Sequence, residues 1–413
     1  MIPVQTLSTR IRKEADPLQL FRLFCQDGET NHRILFETAD SADGQVAKSI
    51  LLSKAALRIE LKSAQFTIEA LSLNGRALLE QLIPFLNDRY IIQREADQLT
   101  FPYQAAERDP DPLKQLRQSS VLEPLRLIQQ LLQPDKEFAA DLAICGVFSY
   151  DLVDYFEQLP AAEDFYDFPD FSFYVPEQAI RVDHETKQVT LFHFVFADNQ
   201  SSPLVQDSLL EFNTAIDLLK QYRMETETIP ELSTAFPDCQ ESLSDADYSG
   251  VIAEAQTAIR RGDVYQIVPS RRFSTDCPSA VDAYRKLRQS NPSPYMFYIR
   301  TDRFTLFGAS PETAVKFEQN KRRVSLNPIA GTKARALMAN GQIDADQDNR
   351  NEMDLLLNHK EIAEHIMLLD LARNDIAKIS RPNSRRVSRM MQVEKYSHVM
   401  HLVSEVEGLL ADD

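Results

Sequence analysis

A repeated switch between two hydrophobic periods limits what this chain can fold into. ALRIELKSAQFTIEAL (56–71) alternates apolar and polar residues, the period-two signature of paired strands. GRALLEQLIPFL (75–86) then changes to the three- and four-residue spacing of an amphipathic helix. RVDHETKQVTLFHFVF (181–196) returns to two β-rich runs around a polar turn, the pattern of a hairpin. Further on, Ser244, Asp245 or Asp247 can cap a helix in which Val251, Ile252, Ala255, Ala258 and Ile259 recur at helical spacing, and Gly262 can close it. VYQIVPSRRF (264–273) reads as a strand, and FTLFGASPE (304–312) and RVSLNPIAGT (323–332) as strand-then-turn units. Strands and helices mixed in this way, without strict alternation, predict an α+β or complex α/β fold and not a barrel.

The chain's 413 residues exceed one typical core. The clearest change of composition is METETIPELSTAFPDCQESLSDAD (224–247), acidic, with two prolines and no Lys or Arg before Arg260. This stretch predicts a linker between an N-terminal half, 1–223, and a C-terminal half, 248–413. CGVFSYDLVDYFEQLP (145–160) is dense in aromatics, a pattern that points to packing in a core or interface.

Acidic residues outnumber Lys and Arg by 62 to 45, for a net charge of −17, which argues against a nucleic-acid surface. The one basic cluster, ISRPNSRRVSR (379–389), reads as a solvated loop. Only ten glycines occur, where an average usage of about 7% would give nearly thirty. No two of them make G-x-G, so neither a dinucleotide fingerprint nor a phosphate-cradling loop can be assembled. No apolar run reaches the roughly 18 residues of a membrane span, and MIPVQTLSTRIRKEAD lacks the apolar region of a secretory signal. The expectation is a soluble cytoplasmic protein. Cys25, Cys145, Cys239 and Cys277 are scattered without a C-x-x-C pair and predict reduced, mostly buried thiols.

The chemistry concentrates in HKEIAEHIMLLDLARND (359–375). Four of the seven histidines lie between 359 and 401. The segment is neither H-E-x-x-H nor H-x-x-E-H, and His359 and His365, six apart, fall on nearly opposite sides of a helix, which disfavours a shared zinc. Glu361 and Glu364 are three apart and share a helix face. Two hard oxygen donors suit Mg²⁺, whose remaining positions are filled by water or an anionic substrate. The same spacing also suits a solvated helix start on which Asn358 forms a capping box with Glu361. Spacing alone leaves both readings open.

HKEIAEHIMLLDLARND resembles the H-K-E-x-x-E-H…D-L-x-R-N-D block of the chorismate-utilising enzymes. QIVPSRRF (266–273), NPSPYMF (291–297), LFGASPE (306–312), PIAGT (328–332) and YSHVMHLVSEVEG (396–408) match that family in the same order. With LFETAD (35–40) and FSYDLVDYFEQLP in the first half, the likeness runs through the chain and is greatest to the anthranilate synthase component I branch.

The resemblance implies a lyase of tryptophan biosynthesis with mixed, mainly antiparallel sheets. Its substrate is chorismate, its cofactor Mg²⁺, and its ammonia comes from a glutamine amidotransferase subunit in a hetero-oligomer. By the same resemblance Glu361 and Glu364 serve the metal and the leaving-group region, and His401 acts in the elimination. Thr332, Gly331 and Ala330 line the substrate pocket, with Glu312 nearby. Water-using members carry lysine where this chain has Gln266. The aminodeoxychorismate branch carries a nucleophilic lysine where this chain has Ala330. Both positions therefore favour anthranilate synthase over aminodeoxychorismate or isochorismate synthase. The resemblance further implies feedback inhibition by tryptophan, in a pocket of Glu37, Thr38 and Lys48 with Pro294, Tyr295, Met296, Phe297, Gly308 and Ala309. Thr38 stands where serine is usual.

Two departures carry expectations. The family's R-P-R-G after PIAGT is replaced by Lys333, Ala334, Arg335 and Ala336, which changes the freedom of that loop. Family members also continue past the VMHL strand into a GTLSGAPK-type segment that brings further metal and chorismate ligands, whereas this sequence ends GLLADD. These 413 residues alone are therefore expected not to form anthranilate at steady state. A catalytically silent homologue that binds tryptophan or the amidotransferase is the alternative.

Overall fold

The computed structural model describes residues 1–39, 46–104, 111, 114, 118–138, 141–159, 167–197, 202–225, 238–338 and 340–412. In chain order the first half contains β1 (Ile2–Arg12), α1 (Pro17–Phe24), β2 (Arg33–Ala39), β3 (Val46–Lys62), β4 (Gln65–Ala70) and α2 (Leu73–Asn87). It continues with β5 (Gln93–Arg94), β6 (Gln98–Pro102), α3 (Glu123–Leu131), β7 (Leu132–Pro134), β8 (Cys145–Phe148), β9 (Phe171–Asp183), β10 (Gln188–Val195) and α4 (Pro203–Gln221). The second half has β11 (Gln240–Glu241), α5 (Asp245–Arg261), β12 (Phe273–Ser274), α6 (Ala280–Ser290), β13 (Tyr295–Arg300) and β14 (Thr305–Ser310). It ends with β15 (Lys316–Glu318), β16 (Arg323–Leu326), β17 (Ile329–Ala334), α7 (Ala345–Leu357), α8 (His359–Ile379), β18 (Arg386–Lys395) and β19 (Val399–Leu409).

Two units emerge from the packing: Met1–Met224 together with Tyr284–Asp413, and Glu225–Ala283. The sequence boundary near 224 coincides with the start of the second unit, but the chain from Tyr284 onward groups with the N-terminal half. Residues 226–237, half of the 224–247 connection, lie outside the described residues.

The larger unit is built on a twelve-stranded sheet ordered β14-β13-β2-β3-β9-β10-β1-β7, with β4, β5, β6 and β8 attached off that path. Every pairing in it is antiparallel except β1 with β7. The period-two run at 56–71 becomes β3 and β4, joined by Ser63 and Ala64, both at positive φ. That backbone matches the right-handed twist of a tight hairpin. α2 packs its buried Leu78, Leu82 and Leu86 onto Leu57, Ile59, Phe66, Phe101 and Phe194 of the sheet. Gly75 is required there by close approach, because a Cβ would lie 1.9 Å from the Ala56 carbonyl oxygen. Asn74 locks the helix to the chain beside it, donating to Phe194 O and accepting from Phe196 N.

A second sheet runs β15-β16-β19-β17, with β18 on the free side of β19. α8 covers it through Leu369, Ala372 and Ile376, packed on Val324 and Val406. Leu355 of α7 packs on Met400 and Leu402.

In the smaller unit, Ser244 caps α5 by accepting from Asp247 N, and Gly262, at φ +79°, closes it. Arg271 pairs with Asp245 and lies over the rings of Tyr248 and Phe273. The expected strand at 264–273 is absent. Only Phe273–Ser274 pairs, with Gln240–Glu241, because a strand needs a partner along its length and Pro269 removes a donor.

Three other expectations are corrected. The Ile329–Thr332 turn is instead the first part of strand β17. The basic cluster 379–389 is no solvated loop: it enters β18 with Arg381 on Asp412, Arg386 on Glu407 and Arg389 on Glu394. Of the four free thiols, Cys25 is buried and Cys145 half-buried, while Cys239 and Cys277 are exposed.

Candidate active site

The site is assembled where α8 lies across β17 and β19. Thr332 and His401 are cross-strand partners in the β17–β19 pair, and Thr332 Oγ1 is 2.9 Å from His401 Nδ1. Burial lowers the His401 pKa below that of a free imidazole, against the opposing pull of the Gly331 backbone and the Glu394 charge. At neutral pH the ring is therefore a base. Tyr396 packs against it at a ring separation of 5.5 Å and donates to Glu394 Oε2.

Gly331 takes φ +92°, and a Cβ there would meet Leu402 Cδ1 at 3.1 Å and Glu361 Cβ at 3.4 Å. This backbone approach brings the first turn of α8 against the Gly331–Thr332 segment. Asn358 caps the helix, its Oδ1 accepting from Lys360 N and Glu361 N. One turn on from Glu361, His365 is fully buried between Ala330 O, 3.1 Å from Nδ1, and Ser404 Oγ, 2.7 Å from Nε2. The Ala330 carbonyl can only accept, so the imidazole proton sits on Nδ1, and the Ser404 hydroxyl, which accepts from Met391 N, donates to Nε2. His365 is thus a clamp between helix and sheet. It fixes the rotation of α8 that aims Glu361 at β17, and sequence spacing gave no signal for this role.

Glu361 and Glu364 are both half-buried, as i,i+3 neighbours on α8. The only cation near Glu361 among the described ion pairs is the exposed Lys360, 3.6 Å away. Two carboxylates three residues apart on one helix face fit a hard divalent cation better than zinc.

The loop that departs from the family pattern is ordered from within. Arg335 binds Asp348 at 2.8 and 3.1 Å and also donates to Tyr396 O. Asp348 accepts from Ala336 N as well, and its pKa is held down at about 2, chiefly by the Arg335 bond. Lys333 only approaches Asp354, at 3.7 Å.

The remaining expected residues fall elsewhere. Glu312 is exposed in the turn after β14, and Gln266 lies in the smaller unit. Ala330 is buried on β17. The nine residues expected at a regulatory pocket occupy adjoining strands of the large sheet. Lys48, Thr38, Tyr295 and Ser310 form one rung, Ser49, Glu37, Met296 and Ala309 the next, and Ile50, Phe36, Phe297 and Gly308 the third; Pro294 precedes β13. Alternation divides them between two faces. Thr38, Lys48 and Tyr295 are partly or fully exposed, whereas Glu37 and Met296 are buried on the other side. Glu37 there accepts from Tyr284 Oη at 2.6 Å and pairs with Arg288 at 2.9 Å. Arg288 also binds Asp16, at 2.8 Å.

Comparison with known proteins agrees with this architecture. Residues 84–413 match the family model described as chorismate binding enzyme. The chain is 40% identical to anthranilate synthase component 1 of Vibrio cholerae over 413 residues, all of this chain and 77% of that protein. It is 40% identical to the Escherichia coli protein of the same name over 404 residues, 96% of this chain and 75% of that one. The crystal structure of anthranilate synthase component I from Streptococcus pneumoniae superposes with a TM-score of 0.61 at 25% identity, covering 89% of this chain and 70% of that one. The chain belongs to the chorismate-binding enzyme family, alongside proteins of the anthranilate synthase component 1 type.

Proposed function

We propose that this chain is an anthranilate synthase component I, acting on chorismate with ammonia supplied by a glutamine amidotransferase subunit. The observation that carries the reading is the convergence of Gly331, Thr332, His401 and Glu361 where α8 meets β17 and β19. Ammonia adds at C2 as the C4 hydroxyl departs. Loss of the C2 proton with elimination of pyruvate then aromatises the ring to anthranilate. His401, unprotonated at neutral pH and oriented by Thr332, is the base for that proton. The Gly331 backbone lets the first turn of α8, with Glu361, lie close against the strand that carries Thr332. Glu361 and Glu364 would hold Mg²⁺, which supplies charge for a substrate carboxylate. Ala330 offers no amine nucleophile on β17, which favours this branch over aminodeoxychorismate synthesis. Tryptophan feedback at the Lys48–Thr38–Tyr295 rung belongs to the same proposal.

Calorimetry of chorismate with Mg²⁺ tests the site. Binding is expected, and should weaken in Glu361→Gln and in Thr332→Val. Should the chain turn over, the product separates the branches: anthranilate with pyruvate supports the reading, and isochorismate or aminodeoxychorismate refutes it.

A further inference from the structure

Away from the Thr332–His401 pair, four polar side chains converge in the large sheet where α4 covers it. They are Lys54 on β3, Glu177 on β9, His193 on β10 and Glu211 on α4. Ligand atoms of Glu177, His193 and Glu211 all lie within 4.8 Å of one another. The register of β3 against β9 slips three times between Leu52 and Leu57, and such a bulge re-aims side chains.

The histidine is the unusual member. His193 is 0% exposed, yet neither ring nitrogen has a hydrogen-bond partner. Buried imidazoles normally find one. Phe212 packs edge-on against its ring. Burial pushes the His193 pKa down to about 4, so the ring is an unprotonated nitrogen donor at neutral pH. The carboxylates are already arranged around a cation, since Lys54 Nζ lies 2.7 Å from Glu177 and 2.6 Å from Glu211. Ser72 donates to the other oxygen of Glu177 and fixes that side chain. Two carboxylates and one ammonium leave an uncompensated negative charge beside an idle nitrogen donor.

We propose that Glu177, His193 and Glu211 form a site for a divalent transition metal of the zinc class, which displaces the Lys54 ammonium. One imidazole with two carboxylates selects Zn²⁺, Co²⁺ or Ni²⁺ over Mg²⁺. Tetrahedral ligands about 2.0–2.1 Å from an ion lie roughly 3.3 Å apart, so the cluster must contract on binding. Glu211 is free to supply that movement: its side chain is 48% exposed and opens the site to solvent. Lys54, at 28%, has a way out on the same side. The bound ion would join β9, β10 and α4.

The test titrates the full chain, stripped with a chelator, with Co²⁺ read by visible absorption and Zn²⁺ read by calorimetry. Glu361→Gln/Glu364→Gln serves as the parent, so that the other carboxylate pair cannot contribute. One equivalent is expected to bind. His193→Gln should weaken binding by at least about 100-fold, the upper end of what loss of a mere supporting partner costs. Lys54→Met should tighten it, because the competing ammonium is gone. Should His193→Gln fail to fold, Glu211→Gln, on the exposed side of α4, provides the same weakening. Absence of binding, unchanged affinity in His193→Gln or Glu211→Gln, or weaker binding in Lys54→Met overturns the proposal.

Discussion

Replacing Arg288 by methionine exposes the electrostatics of the buried Glu37. The Glu37 carboxylate is fully buried and bound by Tyr284 and Arg288, the latter 2.9 Å away. Burial raises its pKa above the ordinary glutamate value, and the Arg288 charge and the Tyr284 hydrogen bond oppose that rise. Arg288→Met keeps the side-chain bulk but strands the acid. Removing one partner of a buried pair costs about 3–5 kcal/mol. At roughly 2 °C per kcal/mol for a body this large, the melting temperature should fall by about 6–10 °C.

The loss should also depend on pH. A carboxyl whose folded pKa lies above its unfolded value, about 4.3, is protonated more readily when folded. Its contribution to stability is full below that unfolded value and is lost as pH rises toward the folded one, by about 1.4 kcal/mol per unit. Without Arg288 that window extends upward, so the deficit relative to the parent should be larger at pH 8 than at pH 5. Asp16 also loses its partner, but it is partly exposed and contributes less. Adding Glu37→Gln should recover most of the loss, because an amide buries no charge and still meets Tyr284. Thermal unfolding at both pH values checks this. A loss below about 1 kcal/mol, a deficit independent of pH, or no rescue by Glu37→Gln would refute the reasoning.

Three further predictions concern the candidate active site. Asp348→Asn should cost about 1–2 kcal/mol, because a pKa near 2 against an ordinary 3.8 is worth about 2.4 kcal/mol before discounting for solvent around Lys395. The depressed pKa means this stability is present above about pH 4 and fades as pH falls toward 2, so the variant should lose that part of the acid dependence in urea titrations. Gly331→Ala should cost about 1–3 kcal/mol from positive φ alone, and pressure on Glu361 should weaken Mg²⁺-dependent chorismate binding in calorimetry. Ser404→Ala leaves His365 Nε2 and Met391 N without their partner and should cost about 1–3 kcal/mol, with faster amide exchange along α8.

What the sequence revealed followed from locality. The β3–β4 hairpin, α2, α5 and α8 were legible because period, cap and turn lie within a few residues of one another. Gly331, Thr332, Glu361 and His401 were legible only through ordered motifs, since nothing local says that β17, α8 and β19 meet. The VYQIVPSRRF reading failed because strand propensity cannot supply a neighbouring strand. The His365–Ser404–Ala330 clamp was hidden because the sheet, not the spacing, joins positions 330, 365 and 404. Lys333, Ala334 and Ala336 looked like losses against the family motif, yet the bond between the retained Arg335 and Asp348 orders that loop. His193 sat inside the hairpin pattern of 181–196, which says nothing of the residues brought beside it from β9 and α4.

The order β14-β13-β2 has a consequence for synthesis. Residues 33–38 pair directly with 295–300, so β2 has no neighbour on that side until nearly three quarters of the chain has been made. The core between β3, β9 and α2 can condense on the ribosome, while β2 waits as an unsealed edge carrying Glu37 without Tyr284 or Arg288. Contacts of such long separation are slow to close, and open edges recruit other chains. Slowing translation between codons 225 and 295 should therefore lower soluble yield through aggregation of nascent chains, and a chaperone that shields strand edges should restore it.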